Sequence, residues 1–200
     1  MTRGLLGIIK LIVFVILLPI IIAVIVGFQK ELASLVGQGQ SFWWGVISYT
    51  VFHLFIFTPQ ALYRFWQGVF MEICSFTGVA ANFIVLAIPI ITTILMIVYF
   101  LAVVIFNQSW GQESLTFLAG LTIALHIILS GQELYESDES MIRGHYLLNI
   151  GLVFIVNMLI VVLLMDLVFK KFSFLSFWNN MFQTGEYIYT KILHAAGIKW

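Results

Sequence analysis

Apolar side chains fall in long unbroken blocks along this chain. Residues 5–28, 81–106 and 147–169 are each almost wholly apolar, and 115–129 is a shorter block of the same kind. About 20 apolar residues cross about 30 Å of hydrocarbon as a helix. Helix is also the conformation in which such a segment satisfies its own backbone, so the pattern predicts four long transmembrane helices. Residues 42–57 and 61–76 form two more apolar arms around Thr58-Pro59-Gln60. Proline removes a donor and disfavours helix at the residue before it. Residues 42–79 therefore read as a Pro-broken hairpin, either two tilted spans or a re-entrant pair. The predicted fold class is an all-α integral membrane protein with six membrane segments in a domain at 1–171, followed by a tail at 172–200.

That tail interleaves Phe172, Phe174, Phe177, Trp178, Phe182, Tyr187, Tyr189 and Trp200 with Asn179, Asn180, Gln183 and Thr184. The mixture predicts an amphipathic interfacial segment, broken near Gly185 into two short helices. Anchoring in lipid and docking to a partner are both open to it.

Composition sharpens the picture. Apolar residues make up 62% of the chain and charged residues 9%, against about 25% charged in an ordinary soluble domain. Eighteen charges cannot clothe 200 residues in a polar skin, so lipid is the expected solvent. A net charge of zero gives no pull toward nucleic acid. Cys74 is the only cysteine, so no internal disulfide forms. The first block exceeds the roughly 7–15 residues of a signal h-region and reads as a retained anchor. Arg3 and Lys10 flank it, Lys170 and Lys171 follow the last block, and residues 132–145 carry Glu133, Glu136, Asp138 and Glu139 against Arg143. If the hairpin enters and leaves on one side, the positive-inside bias puts both termini in the cytoplasm of an inner or plasma membrane, with the acidic loop outside.

Ionisable groups at membrane depth are expensive and so are candidate functional groups. Lys10 lies near a span end and can snorkel, and Asp166 stands one turn from Lys170 in ion-pair register. Arg64, Gly68 and Glu72 fall at i, i+4 and i+8 with Gln67 beside them. This polar stripe is either a buried knot that fixes helix register or the wall of a polar cavity. His53 and His126 could ligate a haem from facing helices, or each could bond a neighbouring carbonyl. Catalytic zinc wants three protein ligands, and the chain has no H-E-x-x-H and no C-x-x-C. His53, Glu72 and His126 remain as an unorthodox set. No nucleophile elbow and no phosphate-cradling glycine loop occurs, so no catalytic residue, metal or cofactor is expected.

Three stretches carry a family resemblance. Phe52-His53-Leu54-Phe55, then Pro59 and Leu62-Tyr63-Arg64-Phe65, resembles the approach to the metal helix of site-2-protease-like membrane metallopeptidases. Ala87-Ile88-Pro89-Ile90-Ile91-Thr92 is similar to the span after it, and Gly120-Leu121-Thr122 through His126, Tyr146 and Asn157 to the later spans. Where that family holds H-E-x-x-H, this chain has Gln67-Gly68-Val69-Phe70-Met71. An amide, a hydrogen and a thioether replace two imidazoles and a general base, so the resemblance implies a pseudo-peptidase. The leading expectation is a non-catalytic membrane subunit or adaptor bound to another membrane protein. The alternative is a component that handles membrane lipid or a small solute through a polar intramembrane cavity at Arg64, Gln67 and Glu72.

Overall fold

The computed structural model describes residues 2–35, 37–55, 60–107, 111–137 and 144–197, the side chains of 2–4, 60–62, 79, 80 and 82 excepted. Thr58 and Pro59, on which the predicted hairpin break rests, lie outside the described residues, as do Asp138, Glu139, Arg143 and Trp200. The elements are α1 (Thr2–Ser34), α2 (Gln38–Phe55), α3 (Gln60–Cys74), a 3-10 stretch Ser75–Ala80, α4 (Ala81–Ala87), α5 (Ile90–Phe106), α6 (Gln112–Ser137), α7 (Gly144–Val168) and α8 (Phe174–Ala195). No strand occurs among the described residues.

Three helices, α1, α6 and α7, are long and apolar enough to cross a membrane, which fits a multi-pass membrane protein. The fourth expected long span is broken. Residues 81–106 divide at Ile88-Pro89 into the 7-residue α4 and the 17-residue α5. The missing proline donor that marks the hairpin ends a helix here as well. Conversely, α6 outruns its apolar block by two turns, because Gln132, Glu133 and Glu136 continue the helix past Leu129.

Helix directions follow from paired contacts. Leu35 and Gly37 turn α1 into α2. Running alongside α6, α2 pairs Gln38 with Gln112 at one end and His53 with Gln132 at the other. Gly144 meets Gly7, and the Ser34 hydroxyl donates to the Lys171 carbonyl, so α7 runs parallel to α1. Lys10 Nζ lies 2.6 Å from His145 Nδ1. The N-terminal cation and the acidic end of α6 therefore share one end of the bundle, and Lys170 and Lys171 lie at the other. That corrects the expected pairing of Lys10 with Lys170 and Lys171, which counted the hairpin as an even number of passes. In the bundle α2 runs its full length against α6 while α3 and α4 stay at one end. Asp166 also departs from its expected ion pair with Lys170: its Oδ1 accepts from the Phe174 amide at 3.3 Å, at the start of α8.

Glycine sets the closest crossing. A Cβ on Gly45 would lie 2.0 Å from the Phe117 carbonyl oxygen, and one on Gly120 would lie 2.1 Å from that of Phe42. Two glycines thus let the backbones of α2 and α6 touch, as small residues do between membrane helices. Around this crossing Phe28, Phe42, Met96, Val161 and Met165 are fully buried.

The tail forms one helix, not two. Gly185 packs within α8 against Ala23, and α8 runs antiparallel to α1. Ser176 and Asn180 donate to Glu31 Oε1 at 2.5 and 3.2 Å, Phe177 and Met181 meet Gly27, and the Tyr189 hydroxyl donates to the Ile16 carbonyl. Glycine tolerates the helix interior at a cost of about 1 kcal/mol, and the close approach of the two helices is at Gly27, where a Cβ would lie 3.3 Å from the Phe177 oxygen. Asn179, Gln183, Glu186 and Thr190 all face outward.

Candidate functional site

A cleft of about 390 Å³ opens between α3, α4 and the end of α6. Tyr63, Arg64, Gln67, Gly68 and Met71 supply one wall. Their spacing of three to four residues puts them on one helix face. Val85 and Leu86 of α4, with Leu129 of α6, make an apolar wall, and Gln132, Glu133 and Glu136 bring the polar end of α6. One wall is oily and two carry charge.

A short network fixes this geometry. With α4 ending at Ala87, the Leu86 carbonyl loses the amide it would bond four residues on in a continuous helix. His126 Nε2 lies 2.9 Å from that carbonyl oxygen and therefore donates to it, which fixes the ring tautomer. Ser130 Oγ donates to the same oxygen at 3.4 Å, and the Tyr63 hydroxyl meets Ser130 Oγ at 2.8 Å. Tyr63 also stands edge-on to the His126 ring, centroids 5.8 Å apart. Two side chains of α6, one of them held by Tyr63 of α3, thus replace the hydrogen bond lost at the break before α5, as the freed backbone of a broken membrane helix requires.

The predicted residues divide accordingly. Arg64 and Gln67 line the cleft, but Glu72 does not, and no ion pair joins Arg64 to Glu72 among the described residues. Helical phase carries Glu72 past the edge of the lining face. Its expected place beside Gln67 is taken by Glu133, whose Oε2 accepts from Gln67 Nε2 at 2.8 Å. His126 is the carbonyl-bonded histidine of the second alternative. His53 lies on α2, stacked on Tyr49 and 3.4 Å from Gln132 Nε2, so it turns toward a different side of α6 from His126. The pair does not face one haem plane. His53, Glu72 and His126 do not converge either, and no group of three His, Cys, Asp or Glu side chains able to hold a metal occurs among the described residues.

Sequence reasoning missed Tyr63, Ser130, Gln132, Glu133 and Glu136. Leu129, Gln132, Glu133 and Glu136 repeat at helical spacing, a signal hidden by ending the fourth segment where its apolar run ends. Three buried polar atoms beside the cleft lack partners: Tyr49 Oη, His53 Nδ1 and Gln132 Oε1. Gln67, Gly68 and Met71, three of the residues on which the expected peptidase resemblance turns, all line the cleft. A scan against protein-family models finds no match, and searches of curated proteins and of solved structures find none either.

Proposed function

We propose that this chain is a non-catalytic multi-pass membrane protein that holds the polar headgroup of a lipid-like amphiphile in the cleft between α3, α4 and α6. One observation carries the reading: a cation, Arg64, and the carboxylates Glu133 and Glu136 line the same cleft as the apolar Val85, Leu86 and Leu129. A dipolar head with an anionic phosphate and an ammonium matches that charge set, phosphate on the guanidinium and ammonium on the glutamates. The cleft's outer groups are exposed, so a head enters without unfolding the α4 latch. Native mass spectrometry of protein purified in mild detergent tests it. Bound zwitterionic lipid that falls away in Arg64→Ala is the expected result. Lipid occupancy equal in both proteins would refute it.

A second reading, the pseudo-peptidase subunit, draws support from two features. Gln67, Gly68 and Met71 share the cleft wall. The outward row Asn179, Gln183, Glu186 and Thr190 on α8 lies beside residues 16–31 of α1, where a neighbouring polar helix would satisfy it. Cross-linking through cysteines placed in that row reads it out. A row that reacts only with water-soluble reagents counts against it.

In both readings the protein sits in an inner or plasma membrane with both termini cytoplasmic, and the acidic end of α6, beside Lys10, then lies on that side as well. The return of α8 toward the N-terminal half of α1 supports a shared side. Tags at the two ends are expected to be accessible from the same face, and opposite accessibility would overturn the orientation.

A further inference from the structure

The headgroup cleft is not isolated. A second groove, about 450 Å³, runs between α6 and α7 and shares Gln132 and Glu136 with the cleft. It passes Ile128, Gly131 and Ile150, with the edge-on pair Tyr135 and Tyr146 at its rim. A third cavity, about 300 Å³, begins where the second ends, sharing Ile127 and Ile128 with it. Phe28, Phe42, Val46, Ile123 and Met158 line this last space, and Thr50 is its one polar side chain. Polarity therefore falls steadily along α6 from Glu136 to Ile123.

We infer that this furrow takes the hydrocarbon chain of a single-chain, lysophospholipid-type amphiphile whose head occupies the Arg64 cleft. The inference rests on the headgroup reading above and adds the path and number of chains. Length agrees: from Ile123 to Gln132, where the cleft joins the groove, the helix rises about 14 Å at 1.5 Å per residue, close to one leaflet, half of about 30 Å. The two spaces meet at Ile127 and Ile128 of α6, which line both. Gln132, which lines both the cleft and the groove, stands where head gives way to chain, and its Oε1 has no partner. The glycerol hydroxyl that a lysolipid keeps, and a diacyl lipid has esterified, is the group that can donate to that oxygen. A buried acceptor without a partner costs about 1–3 kcal/mol, so such a hydroxyl adds binding where a second ester would not.

The test uses the full chain in lipid nanodiscs with a long-chain lysophosphatidylethanolamine bearing a photoreactive diazirine at the chain end. Labelled peptides are expected to contain Phe28, Phe42, Ile123 or Met158. Labelling is expected to fall about tenfold or more, the equivalent of 1.4 kcal/mol, in Ile127→Trp, which fills that junction, and in Arg64→Ala. Label confined to the outward Val98, Leu101 and Val104 of α5 overturns the inference, and this comparison needs only the unmodified protein should Ile127→Trp fail to fold. Label in the furrow, lost in Arg64→Ala but unchanged in Ile127→Trp, overturns the chain path and leaves the headgroup reading standing. Furrow label unchanged in Arg64→Ala overturns the headgroup reading instead.

Discussion

Replacing Gly45 or Gly120 by alanine tests the crossing that holds the polar end of α6 in place. The new methyl of Gly45→Ala would sit 2.0 Å from the Phe117 oxygen and 2.8 Å from the Leu121 nitrogen; that of Gly120→Ala would sit 2.1 Å from the Phe42 oxygen. All three atoms are backbone, so no rotamer change relieves the overlap. Ordinary contact begins near 3.4 Å, and α2 and α6 must part by about 1.3 Å. A gap of 0.5–1 Å already forfeits about a quarter to a half of each dispersion contact, and overpacking typically costs about 1–3 kcal/mol. Against this, alanine regains up to about 1 kcal/mol of helix propensity. Because the overlap is with backbone, the upper end of that cost applies, and the net expectation is a loss of about 2 kcal/mol for either variant, roughly thirtyfold in the folding equilibrium.

Equilibrium unfolding in mixed micelles with increasing dodecyl sulfate measures it. Gly68→Ala is the control, because nothing lies within 4 Å of its added methyl. It is expected to match or slightly exceed the parent. The double variant Gly45→Ala/Gly120→Ala should cost less than the two single losses together, since one separation accommodates both methyls. If the single variants are as stable as Gly68→Ala, or if their effects simply add, the two glycines do not share the contact described.

Other substitutions probe the latch and the tail. His126→Leu leaves the Leu86 carbonyl with the longer Ser130 bond alone and is expected to cost about 1–3 kcal/mol, read in the same unfolding assay; no loss would mean that α4 does not depend on it. Tyr63→Phe removes one hydroxyl from a buried bond to Ser130 and should cost about 0.5–1.5 kcal/mol, less than His126→Leu; the reverse order would contradict the network. Glu31→Ala withdraws the acceptor shared by Ser176 and Asn180, so trypsin should cut faster at Lys191, with Glu31→Gln in between. Equal cleavage rates would show that α8 docks without the carboxylate. Arg64→Ala, at an exposed position, should leave stability within about 0.5 kcal/mol while lowering lipid occupancy.

The helical class and most of the apolar helices are legible from block hydrophobicity, because about 30 Å of hydrocarbon asks for one conformation. What the pattern hides is where a helix stops being apolar without stopping being helical. Gln132, Glu133 and Glu136 look like a loop by hydropathy, yet they are the polar wall of the cleft. Pro89 sits inside an apolar run, and only the rule applied at Pro59 could have divided that run. Arg64 and Gln67 were legible because charge at membrane depth is conspicuous. Their partner was not: Glu72 lies eight residues from Arg64 on the same helix, but Gln67 bonds Glu133, 66 residues away. Local spacing cannot report a contact made by a third helix.

The docking of α8 on α1 has a bearing on how the chain is made. Ser176 reaches Glu31 across 145 positions and Tyr189 reaches Ile16 across 173. During synthesis the first helix is complete long before the last exists, and chains emerge at about 5–20 residues per second. For roughly ten seconds or more, the Ala23 and Gly27 face and the Glu31 carboxylate await their partner. An insertion chaperone would meet that naked flank first, and a ribosome stalled short of residue 176 would deliver a bundle with one side unsealed.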